Sequence, residues 1–305
     1  MKKFGLEAQL VDKVDSVINN NFSNVFKQTL EKINNKNNNA NPRGLKVKES
    51  LLETMELNPI YPIAHFRSRP FNWKYFAGEL AWYLKKDRDI NYINNFSSFW
   101  KGITNPGTNK INSNYGALVL NEQLEWVINS LIKDKDSRQA IAFFNRPEFQ
   151  FENNKDFVCT LYANFFIRDN KLHMKVQMRS NDMFYGLTFD APFFSFLHQT
   201  VWRCVWEARV HKGEDEHLEL GNYYHCADNL HFYERHFDLA DKIIKSTAKN
   251  KNYSLKLKDS FFKFENGKLK YTEKALDYID DIDSVLNKNL KMESYKNILS
   301  NYFVL

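Results

Sequence analysis

Cys159 lies in FVCTLYANFFI (157–167), and about twenty residues later Met178-Arg179-Ser180-Asn181-Asp182 gathers a cation, a hydroxyl, an amide and an acid after a second strand-like run. A lone cysteine in a strand is more often a small apolar core residue than a nucleophile. The reactive form is the thiolate, which a nearby guanidinium favours. If the two strands are neighbours, Arg179 reaches the sulfur, and Arg179 with Ser180 also makes a forked grip for a phosphate. The plainer reading of the same run is a strand end with solvated polar residues. Glu79 is the second candidate, because it is the one acid in the otherwise apolar stretch Trp73–Leu84. An acid placed there calls for a reason.

The elements that position these residues follow from periodicity. Trp73–Leu84 has helical spacing, and Leu51–Leu57 reads as a strand. AIAFF (140–144), FVCTLYANFFI (157–167) and KLHMKVQM (171–178) read as consecutive sheet strands, the last two joined by the turn signal Asp169-Asn170. Pro192–Trp206 returns to helical spacing. Apolar positions at Leu10, Val11, Val14, Val17 and Ile18, then Phe22, Val25, Phe26, Leu30 and Ile33, predict a helix or helix pair over 6–33. Asn34–Asn41 is Asn-rich and precedes Pro42-Arg43-Gly44, which predicts a mobile loop delivering an arginine. The last 45 or so residues read as helical and charged. Helices flanking one sheet, with no internal repeat, give an α/β (α+β) single domain over 1–305, with a helical N-terminal segment (about 1–40) and a helical C-terminal extension (about 260–305).

Composition limits the function classes. Of 305 residues, 43% are apolar and 15% aromatic, enough for a sizeable core. No apolar run approaches the roughly 18–20 residues needed to span a bilayer, and Met1–Val14 lacks the apolar stretch of a secretory signal. A cytoplasmic protein is expected. Cys159, Cys204 and Cys226 form no CxxC pair, which suits a reducing compartment and gives no metal motif. The net charge of +6 is scattered, so a small anionic substrate is expected rather than direct nucleic-acid binding, although a small excess also serves solubility alone.

DSRQAIAFFNRPEFQF, FVCTLYANFFIRDNKLHMKVQMRSNDMFYGLTFD, LHFYERH and INSNYG together resemble the thymidylate synthase family, most of all its deoxycytidylate hydroxymethylase branch, known from bacteriophages. The similarity runs from about Glu79 to His236. It implies a mixed sheet flanked by helices whose open face packs in a homodimer. In that family the thiolate adds to C6 of a pyrimidine nucleotide, and C5 then attacks the methylene carbon of 5,10-methylenetetrahydrofolate. By resemblance Cys159 is the nucleophile, Glu79 relays protons to the base, and Arg179 and Ser180 hold the phosphate. Arg138 matches an arginine reaching that phosphate from the other subunit, and Arg43, more loosely, the mobile arginine that closes on it. Where the family usually has a second arginine this chain has Gln139. His231 and Tyr233 match the pair on the sugar 3′-hydroxyl, although a His and a Tyr at a strand end can also be satisfied locally. Asp182 and Gly186 match positions near the base and folate, and Trp100 and Tyr115 match aromatics lining the cleft.

Asp190 bears on the base. The methylating members carry asparagine there, which pairs with N3–H and O4 of uracil. A carboxyl suits the N4 donor and N3 acceptor of cytosine and repels O4. Thr160 stands where those members usually have histidine, and the C-terminal segment does not match their short sealing tail. The resemblance thus implies dCMP and a hydroxymethyl product, in the cytoplasm of an infected bacterium. The other readings are a C5-methylating relative acting on dCMP or dUMP, and a silent family member that binds nucleotide or RNA. The full set Cys159, Glu79, Arg179, Asp190, His231 and Tyr233 speaks against the silent one.

Overall fold

The computed structural model describes residues 21–36, 39–213, 217–286, 288 and 290–305. The helical pattern at 6–20 lies outside them. Helix α1 (Phe22–Asn34) starts at Asn21, whose side chain accepts from Asn24 N, and buries Phe22, Phe26, Leu30 and Ile33. The expected loop at 34–41 is shorter than its composition indicated. The helix takes Asn34, and β1 (Asn39–Ala40) pairs with the start of β2 (Val47–Leu57), so Arg43 sits in a tight turn between paired strands. In that turn Arg43 has φ 54° and Gly44 φ 77°.

Helix α2 (Trp73–Lys85) starts where expected and runs one residue further, is capped by Asn72 and is buried from Phe76 to Leu84. Helices α3 (Tyr115–Val119) and α4 (Glu122–Lys133) follow. The strands β3 (Ile141–Phe143), β4 (Thr160–Arg168) and β5 (Lys171–Met178) form an antiparallel set. Asp169 and Asn170 both have positive φ, 50° and 55°, as the two central residues of a tight hairpin turn require. Next come β6 (Asn181–Asp182), the 25-residue helix α5 (Leu187–His211), β7 (Glu219–Tyr233) and α6 (Phe237–Lys245).

The sheet order is β1-β2-β7-β5-β4-β3, with β6 beside β7. β7 runs parallel to β5 and β6 and antiparallel to β2, so the sheet is mixed. Alternation along β4 and β5 decides its two faces. Ala163, Phe165, Ile167, Leu172, Met174 and Val176 are buried on the helix side, while Tyr162, Phe166, His173 and Gln177 are half-buried on the other.

The C-terminal segment departs from the helical expectation at its start. Phe262–Glu265 (β9, after the short β8, Lys256–Leu257) and Lys268–Tyr271 (β10) form a hairpin, and helices α7 (Glu273–Leu286) and α8 (Met292–Tyr302) follow. Both helices pack on α2. Tyr278 Oη donates to Ala77 O (2.9 Å), Tyr271 Oη donates to Leu84 O, and Lys85 pairs with Asp283 (2.6 Å). Among the described residues no helix is long and apolar enough to cross a membrane.

Candidate active site

Cys159 immediately precedes β4, and Arg179 immediately follows β5. Because the two strands are hydrogen-bonded neighbours, Arg179 N donates to Cys159 O (2.9 Å) and Arg179 Nη2 lies 3.5 Å from Cys159 Sγ. Arg179 is held by Val158 O (3.1 Å) and Phe157 O, and its guanidinium lies 4.6 Å from the Phe157 ring centre. Burial pushes the Cys159 thiol up, Arg179 opposes it, Asp190 and Asp156 add to it, and Arg43 opposes weakly. Arg179 thus favours the thiolate, and desolvation, the larger effect, favours the thiol. Ser180 is half-buried beside Arg179.

Glu79 is buried on α2, with Tyr75 and Tyr83 one turn away on either side. Both phenols donate to Glu79 Oε1, at 2.7 Å and 3.2 Å. Burial drives the Glu79 carboxyl up to about 8, Tyr75 and Tyr83 pull it down, and the charge of Asp190 pushes it up. Trp100 Nε1 donates to Tyr75 Oη (3.2 Å), and Tyr115 Oη accepts from Thr160 Oγ1 (2.9 Å) while stacking on Tyr83.

Asp190 sits in the first turn of α5 and is pushed up to about 6 by burial, against the pull of Asn181. Asn181 Nδ2 donates to Asp190 Oδ2 (2.8 Å). Gly186 makes that contact possible, since a Cβ there would stand 2.9 Å from Asn181 Oδ1 and 3.1 Å from Asp190 Oδ2. Asp182 Oδ1 accepts from Phe184 N (2.6 Å) and Tyr185 N (3.1 Å), and Asp182 pairs with His231 across β6 and β7. The His231 ring contacts Tyr233 edge-on (5.2 Å) and its Nδ1 is bonded to Asn229 Oδ1 (2.9 Å). Burial lowers His231, against the charge of Asp182.

The structure thus brings Cys159, Arg179, Ser180, Glu79, Asp190, Asp182, Gly186, His231, Tyr233, Trp100 and Tyr115 to one end of the sheet. Arg43 reaches it electrostatically from the β1–β2 turn. Arg138 does not join them within one chain; it is exposed before β3, at the opposite sheet edge. Sequence reasoning left Asn181, Tyr75, Tyr83 and Arg69 without roles. Arg69 donates to Phe184 O and Thr188 Oγ1 (3.0 Å) and so anchors the turn holding Gly186. The signal for the tyrosines was their spacing of four residues from Glu79.

The thymidylate synthase model matches residues 20–280. The chain belongs to the thymidylate synthase family. It is similar to deoxycytidylate 5-hydroxymethyltransferase of Enterobacteria phage T4, with 30% identity over 179 residues, 56% of this chain and 71% of the relative. It is also similar to deoxyuridylate hydroxymethyltransferase of Bacillus phage SP01, with 26% identity over 278 residues, 86% of this chain and 65% of that one. Thymidylate synthase of Buchnera aphidicola subsp. Acyrthosiphon pisum (strain APS) is 27% identical over 178 residues, 54% and 62% of the two chains.

Thymidylate synthase family enzymes transfer one-carbon units from methylenetetrahydrofolate. The residues here fit such a group. Asp182 Oδ2 is a buried acceptor with no partner among the described residues, suited to N–H donors of a pterin. Tyr185, which stacks on Phe99, presents aromatic surface beside it, and both rings are half exposed.

Proposed function

We propose that this chain is a deoxycytidylate 5-hydroxymethyltransferase, converting dCMP, 5,10-methylenetetrahydrofolate and water to 5-hydroxymethyl-dCMP and tetrahydrofolate. The observation that carries the reading is a carboxyl, Asp190, half-buried and held by Asn181 at the site of Cys159 and Glu79. A carboxyl accepts from the N4 amino group of cytosine and shares a proton with N3, whereas against uracil it meets O4 with a like partner. The same step argues against dUMP, the substrate in the name of the SP01 relative.

In this reading Cys159 Sγ forms a bond to C6, which makes C5 nucleophilic. Arg179, Ser180 and Arg43 bind the phosphate, and Arg138 of a second subunit completes that grip. The open sheet face, with Phe143, Tyr162, Phe166 and Tyr224, is the surface for this homodimer. His231 and Tyr233 hold the sugar 3′-hydroxyl. Glu79, protonated at neutral pH, gives and takes protons through Oε2, because both phenols occupy Oε1. The folate supplies the carbon, and water supplies the hydroxyl.

The test is the mass of the product formed from dCMP and methylenetetrahydrofolate in ¹⁸O-labelled water. The reading expects 5-hydroxymethyl-dCMP bearing the label, with tetrahydrofolate released. A methyl product with dihydrofolate, or turnover of dUMP in preference to dCMP, would overturn it.

A further inference from the structure

We infer that Asn181 is a positioning residue for base choice, acting through Asp190 by fixing which carboxyl oxygen accepts and which carries the proton. The inference rests on the reading of Asp190 as the residue that meets the base.

Asn181 is 3% exposed on β6, beside Leu230 of β7 and one step before the Asp182–His231 pair. Among the described residues its amide is the only side chain hydrogen-bonded to the Asp190 carboxyl, Nδ2 to Oδ2 at 2.8 Å. The charge of Asp190 raises Glu79, and it bears likewise on Tyr75, Tyr83, Tyr115, Cys159 and Tyr223. Burial and the Asn181 contact set how readily Asp190 charges. The Asn181 contact distinguishes its two oxygens.

The amide's other end gives the direction. Asn181 Oδ1 is buried without a partner among the described residues, so the amide leaves its own acceptor unmet while its donor meets Asp190. A flipped amide would face Oδ2 with a second acceptor and repel it unless Oδ2 carried a proton. With Nδ2 on Oδ2, a proton on Asp190 belongs on Oδ1. The carboxyl then offers Oδ1–H as donor and the remaining lone pair of Oδ2 as acceptor. That two-point pattern complements N3 and the N4 amino group of an aminopyrimidine, and it opposes N3–H and O4 of uracil at both points. Gly186 supports the arrangement, because a Cβ there would crowd both Asn181 Oδ1 and Asp190 Oδ2.

The experiment measures kcat/KM for dCMP and dUMP in wild type, Asn181→Ala, Asn181→Ser and Asp190→Asn. The affinities of both nucleotides are measured in parallel in the Cys159→Ser background. Neither replacement at 181 can span the distance to Oδ2, so each should lower the dCMP-to-dUMP ratio by about tenfold or more, through loss on dCMP with dUMP little changed. Equal losses on both nucleotides would mark Asn181 as merely structural and overturn the inference, as would an unchanged ratio. If Asp190→Asn also leaves the ratio unchanged, the base-reading role of Asp190 itself has failed. If Asp190→Asn collapses the ratio and the Asn181 variants do not, only this inference falls.

Discussion

Replacing Glu79 by glutamine should change how stability depends on pH before it is considered as a catalytic lesion. The carboxyl is buried, its value is pushed from an ordinary 4.5 up to about 8, and glutamine keeps its shape and its acceptor for Tyr75 and Tyr83. In the folded protein Glu79 stays protonated across a window in which the unfolded chain has already released that proton. Its contribution to stability is therefore fully present below about pH 4.5 and is lost as pH rises through the folded value. Each pH unit in the window is worth about 1.4 kcal/mol, so wild type should lose roughly 3 kcal/mol between pH 5.5 and 8 that the Glu79→Gln variant keeps. Asp190 adds a parallel loss at lower pH, from 3.8 to about 6, in both proteins. The assay is urea unfolding of both proteins at half-unit steps from pH 5.5 to 8.5. A stability difference that stays flat over that range would refute the assignment of Glu79 as a buried group that is neutral near pH 7. Turnover by Glu79→Gln should be lost at every pH, because an amide cannot give up or take up the proton.

Cys159→Ser should lower turnover by at least about a thousandfold while nucleotide affinity, measured by calorimetry, stays within about threefold, since the phosphate and sugar contacts lie elsewhere. Substantial residual turnover would remove Cys159 as nucleophile. Arg138→Ala and Cys159→Ser chains, each inactive alone, should on random mixing give about a quarter of wild-type activity, because half the dimers are mixed and each mixed dimer has one intact site. No recovery despite confirmed subunit exchange would rule out a shared site. Gly186→Ala should cost about 1–3 kcal/mol in urea unfolding and weaken dCMP turnover. Its φ of −86° suits alanine, so the loss would come from the crowded Asn181–Asp190 contact. An unperturbed Gly186→Ala protein would show that this contact has slack.

The parts of the site most readable in the sequence were those carried by local pairing. The Asp169-Asn170 turn made β4 and β5 neighbours, and adjacency alone placed Arg179 against Cys159. The lone acid on an apolar helix was legible for the same reason, because a buried carboxylate without partners is costly. Its partners Tyr75 and Tyr83 share its helix, but their fit as core aromatics hid their polar ends. Asn181 was visible only as the amide of a polar run, since what gives it a role is a contact across the start of α5. At the C-terminal end, charge masked a hairpin: Asn266-Gly267 has the paired positive φ values, 52° and 76°, of a two-residue turn between alternating strands. The net state of Cys159 was beyond reach, because the opposing effects of burial and Arg179 depend on the depth of the pocket.

The contacts that α7 and α8 make with α2 also order events during synthesis. The helix carrying Glu79 is covered by residues that follow it by about 200 positions, as in the Tyr278–Ala77 bond separated by 201. At roughly 5–20 residues per second a ribosome takes about 10–40 s to supply them. Until then the flank of the helix that turns away from Glu79, with Ala77, Leu84 and Lys85, has no partner. The nascent chain can pair β4 with β5 and form the Cys159–Arg179 contact much earlier. The Cys159–Arg179 contact is therefore formed before the back of the helix that carries Glu79 is covered, so a chain stalled before residue 273 would hold the paired thiol and arginine beside a helix still bare on one flank.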